Sequence, residues 1–288
     1  MTRSYNFIQP NFKSLDRLNR VKFMIFADVH VDTDPSNLSC TVEVINPRKR
    51  LIEILNNARI NKADAVINLG DFSTGPTPKG LEGYQIWDEN DTILKYSVEG
   101  NHDTDNQTEN EFFTAIGISE SYYSFNLKNW KFIVLNSKNP IQAIDETQLA
   151  FLRSEIESST SKIIVLVHYL VGTGVRNLIS ELNATEKKVV AVFTGHTHNS
   201  YHSVYDGVYY ISINSTTSAI YSDEGNTLTA QHWYKDNPPY AIISLSNAEM
   251  VISGQGVEDN WASSLCEYDG PDPVDLNLTH QESFTFSI

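Results

Sequence analysis

The stretch 192–200, VFTGHTHNS, closes an apolar run with Gly195, His196, Thr197 and His198. Alternate residues of an extended segment face the same side, so His196 and His198 would present both imidazoles to one point. Such a pair suits a metal ion. It equally describes two imidazoles on a surface loop, because short motifs often arise by chance. The rest of the chain has to supply partners.

Working outward, other apolar runs end in the same way. KFMIFA, 22–27, reads as a central strand that stops at Asp28-Val29-His30. DAVINLG, 64–70, stops at Asp71, and KYSVEG, 95–100, at Asn101-His102-Asp103. KIIVLV, 162–167, runs into His168, and VVAVFTG, 189–195, into His196. Ligands of open α/β sheets bind beyond the carboxyl ends of the strands. One aspartate or histidine there is usually a cap or turn former, whereas five such ends together form a constellation.

The segments between these runs predict helices and a hairpin. Residues 46–61 read as a helix capped by Asn46, with Pro47 in its first turn and Leu51, Ile54, Leu55 and Ala58 on one face. FSTGPTPKG, 72–80, reads as a surface loop. Residues 109–116 read as helical, and YYSFNL and KFIVLN form a hairpin split by Lys128-Asn129-Trp130. Residues 145–158 form an amphipathic helix with Leu149, Leu152 and Ile156 inward. Shorter strands dominate from about 203 to 253, which predicts an α/β domain with a second, more antiparallel sheet. The domain is placed at 22–253, after an N-terminal extension, 1–21, and before an irregular acidic extension, 254–288.

Composition narrows the function. The 288 residues are 40% hydrophobic and 20% charged, ordinary for a soluble domain. No apolar run approaches the ~20 residues that span a bilayer, and MTRSYNFIQPNF lacks the apolar core of a signal peptide. A cytoplasmic protein without a membrane anchor is expected. Cys40 and Cys266 lie far apart outside any CxxC pair, which argues against a disulfide framework or zinc–thiolate site. A net charge of −15 argues against nucleic-acid binding. It permits a small phosphorylated substrate where bound cations invert the charge of one cleft.

The ordered set Asp28-Val29-His30, Gly70-Asp71, Gly100-Asn101-His102-Asp103, His168 and Gly195-His196-Thr197-His198 resembles the calcineurin-like metallophosphoesterases. The resemblance runs from about residue 22 to 214, and DETQLAFLRSEIES is similar to a helix of the branch with cyclic-nucleotide phosphodiesterases and purple acid phosphatases. It implies two β-sheets packed as a sandwich and flanked by helices, an αββα fold with a two-metal centre. Asp28, His30 and His198 would hold one ion, Asn101, His168 and His196 the other, and Asp71 would bridge them. Mixed imidazole and carboxylate ligands suit Mn, Fe or Zn better than Ca or Mg. Asn101 is neutral, which limits the negative charge facing an anionic substrate.

The resemblance further implies a hydroxide shared by the two ions, attacking phosphorus in line. His102, beside a ligand but not one itself, is the candidate proton donor to the leaving oxygen. The alternative is a histidine that only supports a ligand by hydrogen bonding. Protein-serine/threonine phosphatases carry an aspartate and then an arginine three and four places after the bridging aspartate. Here Thr74 and Gly75 stand there, so the acid that would orient His102 is missing, and Asp103 is the candidate to replace it.

Tyr169 and Asn199 adjoin ligands and are candidate substrate residues, and His202 is either a pocket-rim or a surface histidine. His232, with Trp233 and Tyr234, could stack on a ring or simply pack. The expected activity is hydrolysis of a small phosphoester, diesters favoured. A phosphomonoesterase and a non-catalytic scaffold of the same fold are the alternatives. Oligomeric state is not legible.

Overall fold

In a computed structural model, residues 20–33, 47–89, 92–137, 144–222, 229–233, 239–256, 281 and 283–288 are described, with only the backbone of 218–222 and 229–233. Asn46, both cysteines, Tyr234, and the side chains of His232 and Trp233 fall outside them.

Two six-stranded sheets face each other. The first contains β1 (Val21–Phe26), β2 (Ala65–Asn68), β3 (Leu94–Ser97), β12 (Tyr240–Leu245), β13 (Glu249–Gln255) and β14 (Phe284–Ser287). Its order is β14-β13-β12-β1-β2-β3, with β1, β2 and β3 parallel and the others added antiparallel. The second contains β4 (Tyr123–Leu127), β5 (Trp130–Val134), β6 (Lys162–Leu166), β7 (Val189–Thr194), β8 (Tyr201–Tyr205) and β9 (Val208–Ser212), in the order β4-β5-β6-β7-β9-β8. A separate hairpin pairs β10 (Ser218–Ser222) with β11 (Thr229–Trp233).

The central strands are apolar on both faces because both faces are covered. Val21, Phe23 and Ile25 of β1 point between the sheets toward Phe132, Leu166 and Phe193, with the Phe23 and Phe132 rings edge to face at 5.3 Å. Met24 and Phe26 point outward. They meet α1 (Pro47–Ile60), α2 (Pro78–Asp88) and α3 (Glu109–Ile116) through Ile54, Trp87 and Phe112. On the far side α4 (Glu146–Ser158) and α5 (Thr173–Glu186) cover the second sheet through Leu152, Ile156, Val175 and Ile179. The expected αββα sandwich is the observed architecture.

Four expectations need correction. Residues from Pro78 of the expected loop belong to α2, which Thr77 caps with Pro78 in the first turn. Its start is masked in sequence by Gly80 and Gly83. A Cβ on Gly83 would collide with Val31, so the glycine lets α2 pack on the segment after His30. Helix α5 has no counterpart in the sequence reading. Trp130 lies in β5, which tightens the hairpin turn to Lys128-Asn129.

Most of the late strands join the two large sheets, while β10 and β11 pair apart from both as the separate hairpin. β8 and β9 extend the second sheet and β12 and β13 the first, where β12 covers the open edge of β1. Within the segment expected to be irregular, 284–287 form β14 on the edge of β13. Among the described residues no helix is long and apolar enough to cross a membrane.

Candidate metal centre

The parallel strands β1, β2 and β3 of one sheet and β6 and β7 of the other deliver their carboxyl ends to a common place. Backbone bonds lace the loops there. Asp28 N–H donates to Gly70 O (3.0 Å), His30 N–H to Asp71 O (3.1 Å) and Gly195 N–H to His168 O (3.0 Å). A Cβ on Gly100 would collide with the amide and carboxylate of Asp71, so only glycine allows these two loops so close.

Two trios result. The ligand atoms of Asp28, His30 and His198 lie within 4.8 Å of one another, as do those of Asp71, His168 and His196. Asp71 Oδ2 stands between them, 3.3 Å from His168 Nε2 and 4.0 Å from His30 Nε2. Asn101 Oδ1 joins the second trio, 3.1 Å from His168 Nε2.

His196 and His198 therefore face different trios, and the extended alternation expected for them does not occur. β7 ends at Thr194, and both histidines adopt left-handed backbone, φ 65° and 54°. Asp28, His30 and Asp71 share that region at φ 53°, 42° and 54°. Left-handed backbone costs a non-glycine residue about 1–2 kcal/mol. Five such residues at one site mark a geometry held for function.

The donor set fits cations. His168 Nδ1 donates to the Leu69 carbonyl at 2.7 Å, which fixes the ring so that Nε2 faces Asp71 and Asn101, where a cation would take the place of its proton. Asp28 is fully buried: its Oδ2 accepts the His196 amide (3.0 Å), and its Oδ1 has no hydrogen-bond partner among the described residues. That oxygen lies 3.3 Å from His198 Nε2. A buried carboxylate oxygen without a donor is costly, and a cation between it and the imidazole removes the cost.

Electrostatics agree. Burial opposes charge on His168, yet the Asp71 carboxylate outweighs it and raises His168 to about 10. Burial would also raise Asp71, but His168 holds it well below the usual carboxylate range. Burial and the His168 charge lower His196 to about 4.

Asp103 does not steady His102. Its Oδ1 accepts the amides of Phe72 (2.7 Å) and Ser73 (3.0 Å), and its Oδ2 those of Asp71 (3.0 Å) and Gly100 (2.8 Å). Asp103 is thus a buried knot between the Asp71 and Asn101 loops. His102 pairs instead with Asp105, Nδ1 to Oδ2 at 2.7 Å. Burial lowers the His102 pKa, but the Asp105 bond and the Asp71 charge raise it overall.

The remaining candidates separate. Tyr169 lays its ring 3.8 Å from that of His196, on the flank of the second trio. Asn199 is half-buried directly after His198. His202 is exposed on β8 and packs on Phe284 and Phe286, at 4.1 and 5.4 Å between ring centroids.

The calcineurin-like phosphoesterase pattern matches residues 21–200. The chain belongs to this family. No curated protein matches it significantly. Among solved structures it is similar to a dimetal phosphatase from Danio rerio, with TM-score 0.60 and 14% identity over 82% of this chain and 96% of that one. It is also similar to a purple acid phosphatase from yellow lupin, with TM-score 0.58 and 14% identity over 93% of this chain and 54% of that one. A third structure is GAP50 of Plasmodium, described as the anchor in the inner membrane complex. Its TM-score is 0.53 at 13% identity, over 82% and 84% of the two chains. At these identities the likeness concerns the fold.

Residues that the sequence reading missed brace the loops of the candidate centre. Ser215 Oγ donates to Asp28 O (2.9 Å) and Thr217 Oγ1 to Val29 O (2.7 Å), so a buried polar run stiffens the first ligand loop. Gln281 accepts from the Asn214 amide and donates to Ser200 Oγ, both at 2.8 Å. A run of four polar residues directly after an apolar strand, Asn214 to Thr217, was the available signal for the first contact. Gln281 gives none.

Proposed function

We propose that this chain hydrolyses a phosphoester bond of a small molecule with two divalent transition-metal ions, Mn, Fe or Zn, and favours diesters. The position of Asp71 between the two ligand trios carries this reading. Bound there, divalent ions supply Lewis acidity that acidifies water and offsets the charge of phosphate oxygens.

Asp71 would contact both ions, with Asp28, His30 and His198 around one and Asn101, His168 and His196 around the other. Leu69 fixes the ring of His168, and the His196 amide fixes the carboxylate of Asp28. His102, whose ring lies 5.6 Å from that of His30, would give its proton to the leaving oxygen. Asn101 keeps one ligand position neutral, and Tyr169 and Asn199 would line the substrate side.

Diesters are favoured because a terminal dianionic phosphate is commonly gripped by arginine or lysine. The five motif blocks contain neither. Arg176, the arginine nearest in sequence to His168, instead lies over the Tyr210 ring at 5.3 Å. The test is a phosphoester panel run on metal-free protein reloaded separately with Mn, Fe, Zn or Mg. Turnover with at least one transition metal on nitrophenyl esters is expected. No turnover with any metal on any ester refutes the reading.

A further inference from the structure

This inference rests on the phosphoesterase reading and concerns what aims its proton donor. Three carboxylates bind groups in the Asp71 and Asn101 loops. Asp32 is engaged by the Thr74 hydroxyl and accepts the Thr74 amide. Asp103 is saturated by four backbone amides. Asp105 alone meets a ring nitrogen of His102.

The turn that presents it is well held. His102–Thr104 form a single 3-10 turn closed by Asp105 N–H to His102 O at 3.2 Å. The next residue, Asn106, donates both its amide (3.0 Å) and its side-chain Nδ2 (3.1 Å) to the Thr74 carbonyl. The turn's start is fixed where the His102 amide donates to Asp71 Oδ1 at 2.8 Å. The loop position that lacks an acid thus tethers the turn that carries one.

We propose that Asp105 is the positioning residue of His102. Its carboxylate accepts the Nδ1 proton, keeps that proton on Nδ1 in the neutral ring and leaves Nε2 as the nitrogen that exchanges a proton with the substrate. A carboxylate can only accept, so this contact selects one of the two tautomers. Both partners are about half exposed, at 48% and 44% of their side chains, so the pair adds little to stability. Removing Asp105 therefore tests the reaction and not the fold.

The experiment compares wild type, Asp105→Ala and Asp105→Glu, loaded with the same metal, on phenyl and 4-nitrophenyl esters of the same phosphate. Asp105→Ala should cut kcat on the phenyl ester by about 10- to 100-fold, and on the nitrophenyl ester by less than about threefold, because nitrophenolate leaves without help. KM and metal content should stay put, and Asp105→Glu should recover most of the loss. Long-range proton–nitrogen NMR spectra of the imidazoles should show His102 as the Nδ1–H tautomer in wild type and a mixture in Asp105→Ala. An active wild type with equal losses on both esters, no loss, or an unchanged tautomer in Asp105→Ala overturns the role of Asp105 alone. A wild type that cleaves neither ester overturns the phosphoesterase reading and this role with it.

Discussion

Asp71 Oδ2 lies 3.3 Å from His168 Nε2, which joins a carboxylate at the end of β2 in one sheet to an imidazole at the end of β6 in the other. The contact is fully buried and spans the seam of the sandwich. It places the candidate metal centre where neither sheet could build it alone.

The proton-donor role of His102 separates turnover from metal binding. His102→Ala should lower kcat on a phenyl ester by about 100-fold or more, and on a nitrophenyl ester far less. Metal content, read by elemental analysis, should be unchanged. Equal losses on both esters would show that His102 only supports the site.

Asp103 should behave as a structural residue. Asp103→Ala strands four buried amide donors, each worth about 1–3 kcal/mol, so the metal-free protein should lose at least about 3 kcal/mol. Urea unfolding of the metal-free chain measures this. A variant as stable as wild type contradicts the knot.

One ion pair sets an acid-sensitive contribution away from the site. Lys131 Nζ meets Glu155 Oε2 at 2.6 Å, tying β5 to α4. Burial pushes Glu155 up, but the Lys131 bond prevails and holds it below its ordinary 4.5. A depressed carboxylate stabilises fully above the unfolded value, and that stability is lost as pH falls through the folded one. Glu155→Gln should therefore be less stable than wild type at neutral pH, with the gap closing below about pH 4. Thermal unfolding across pH 3–7 decides it, and a gap independent of pH contradicts the pairing.

Substrate charge can be read directly. With the same metal and pH, kcat/KM on bis-nitrophenyl phosphate should exceed that on nitrophenyl phosphate. A clear monoester preference abolished by Arg176→Ala would show that this arginine leaves Tyr210 to grip a terminal phosphate.

The grouping of the candidate centre was largely legible in the chain, because residues able to hold a metal are of a few chemical types, and Asp28, Asp71, His168 and His196 stand at the ends of buried strands. The local conformation was not legible. Alternation placed His196 and His198 on one side, whereas their left-handed backbone sends them to different trios. Residue type alone does not report φ, and close loop packing holds angles that the local sequence disfavours. Adjacency made Asp103 the expected partner of His102, whereas the partner is Asp105, for a similar reason. Both are near His102 in sequence, and only the 3-10 turn decides which one meets its ring. The sharing of late strands between two sheets depends on which edges remain open, a long-range property that no local pattern carries.

The most direct measurement is the number of metal ions bound per chain in wild type, Asp28→Asn and Asp71→Asn, by elemental analysis after reloading and gel filtration. Two equivalents in wild type are expected. Asp28→Asn should retain close to one, because it belongs to one trio, and Asp71→Asn should lose from both sites and fall below it. A wild type that holds no metal under any loading condition, or an Asp71→Asn chain that still holds two, contradicts the bridged centre.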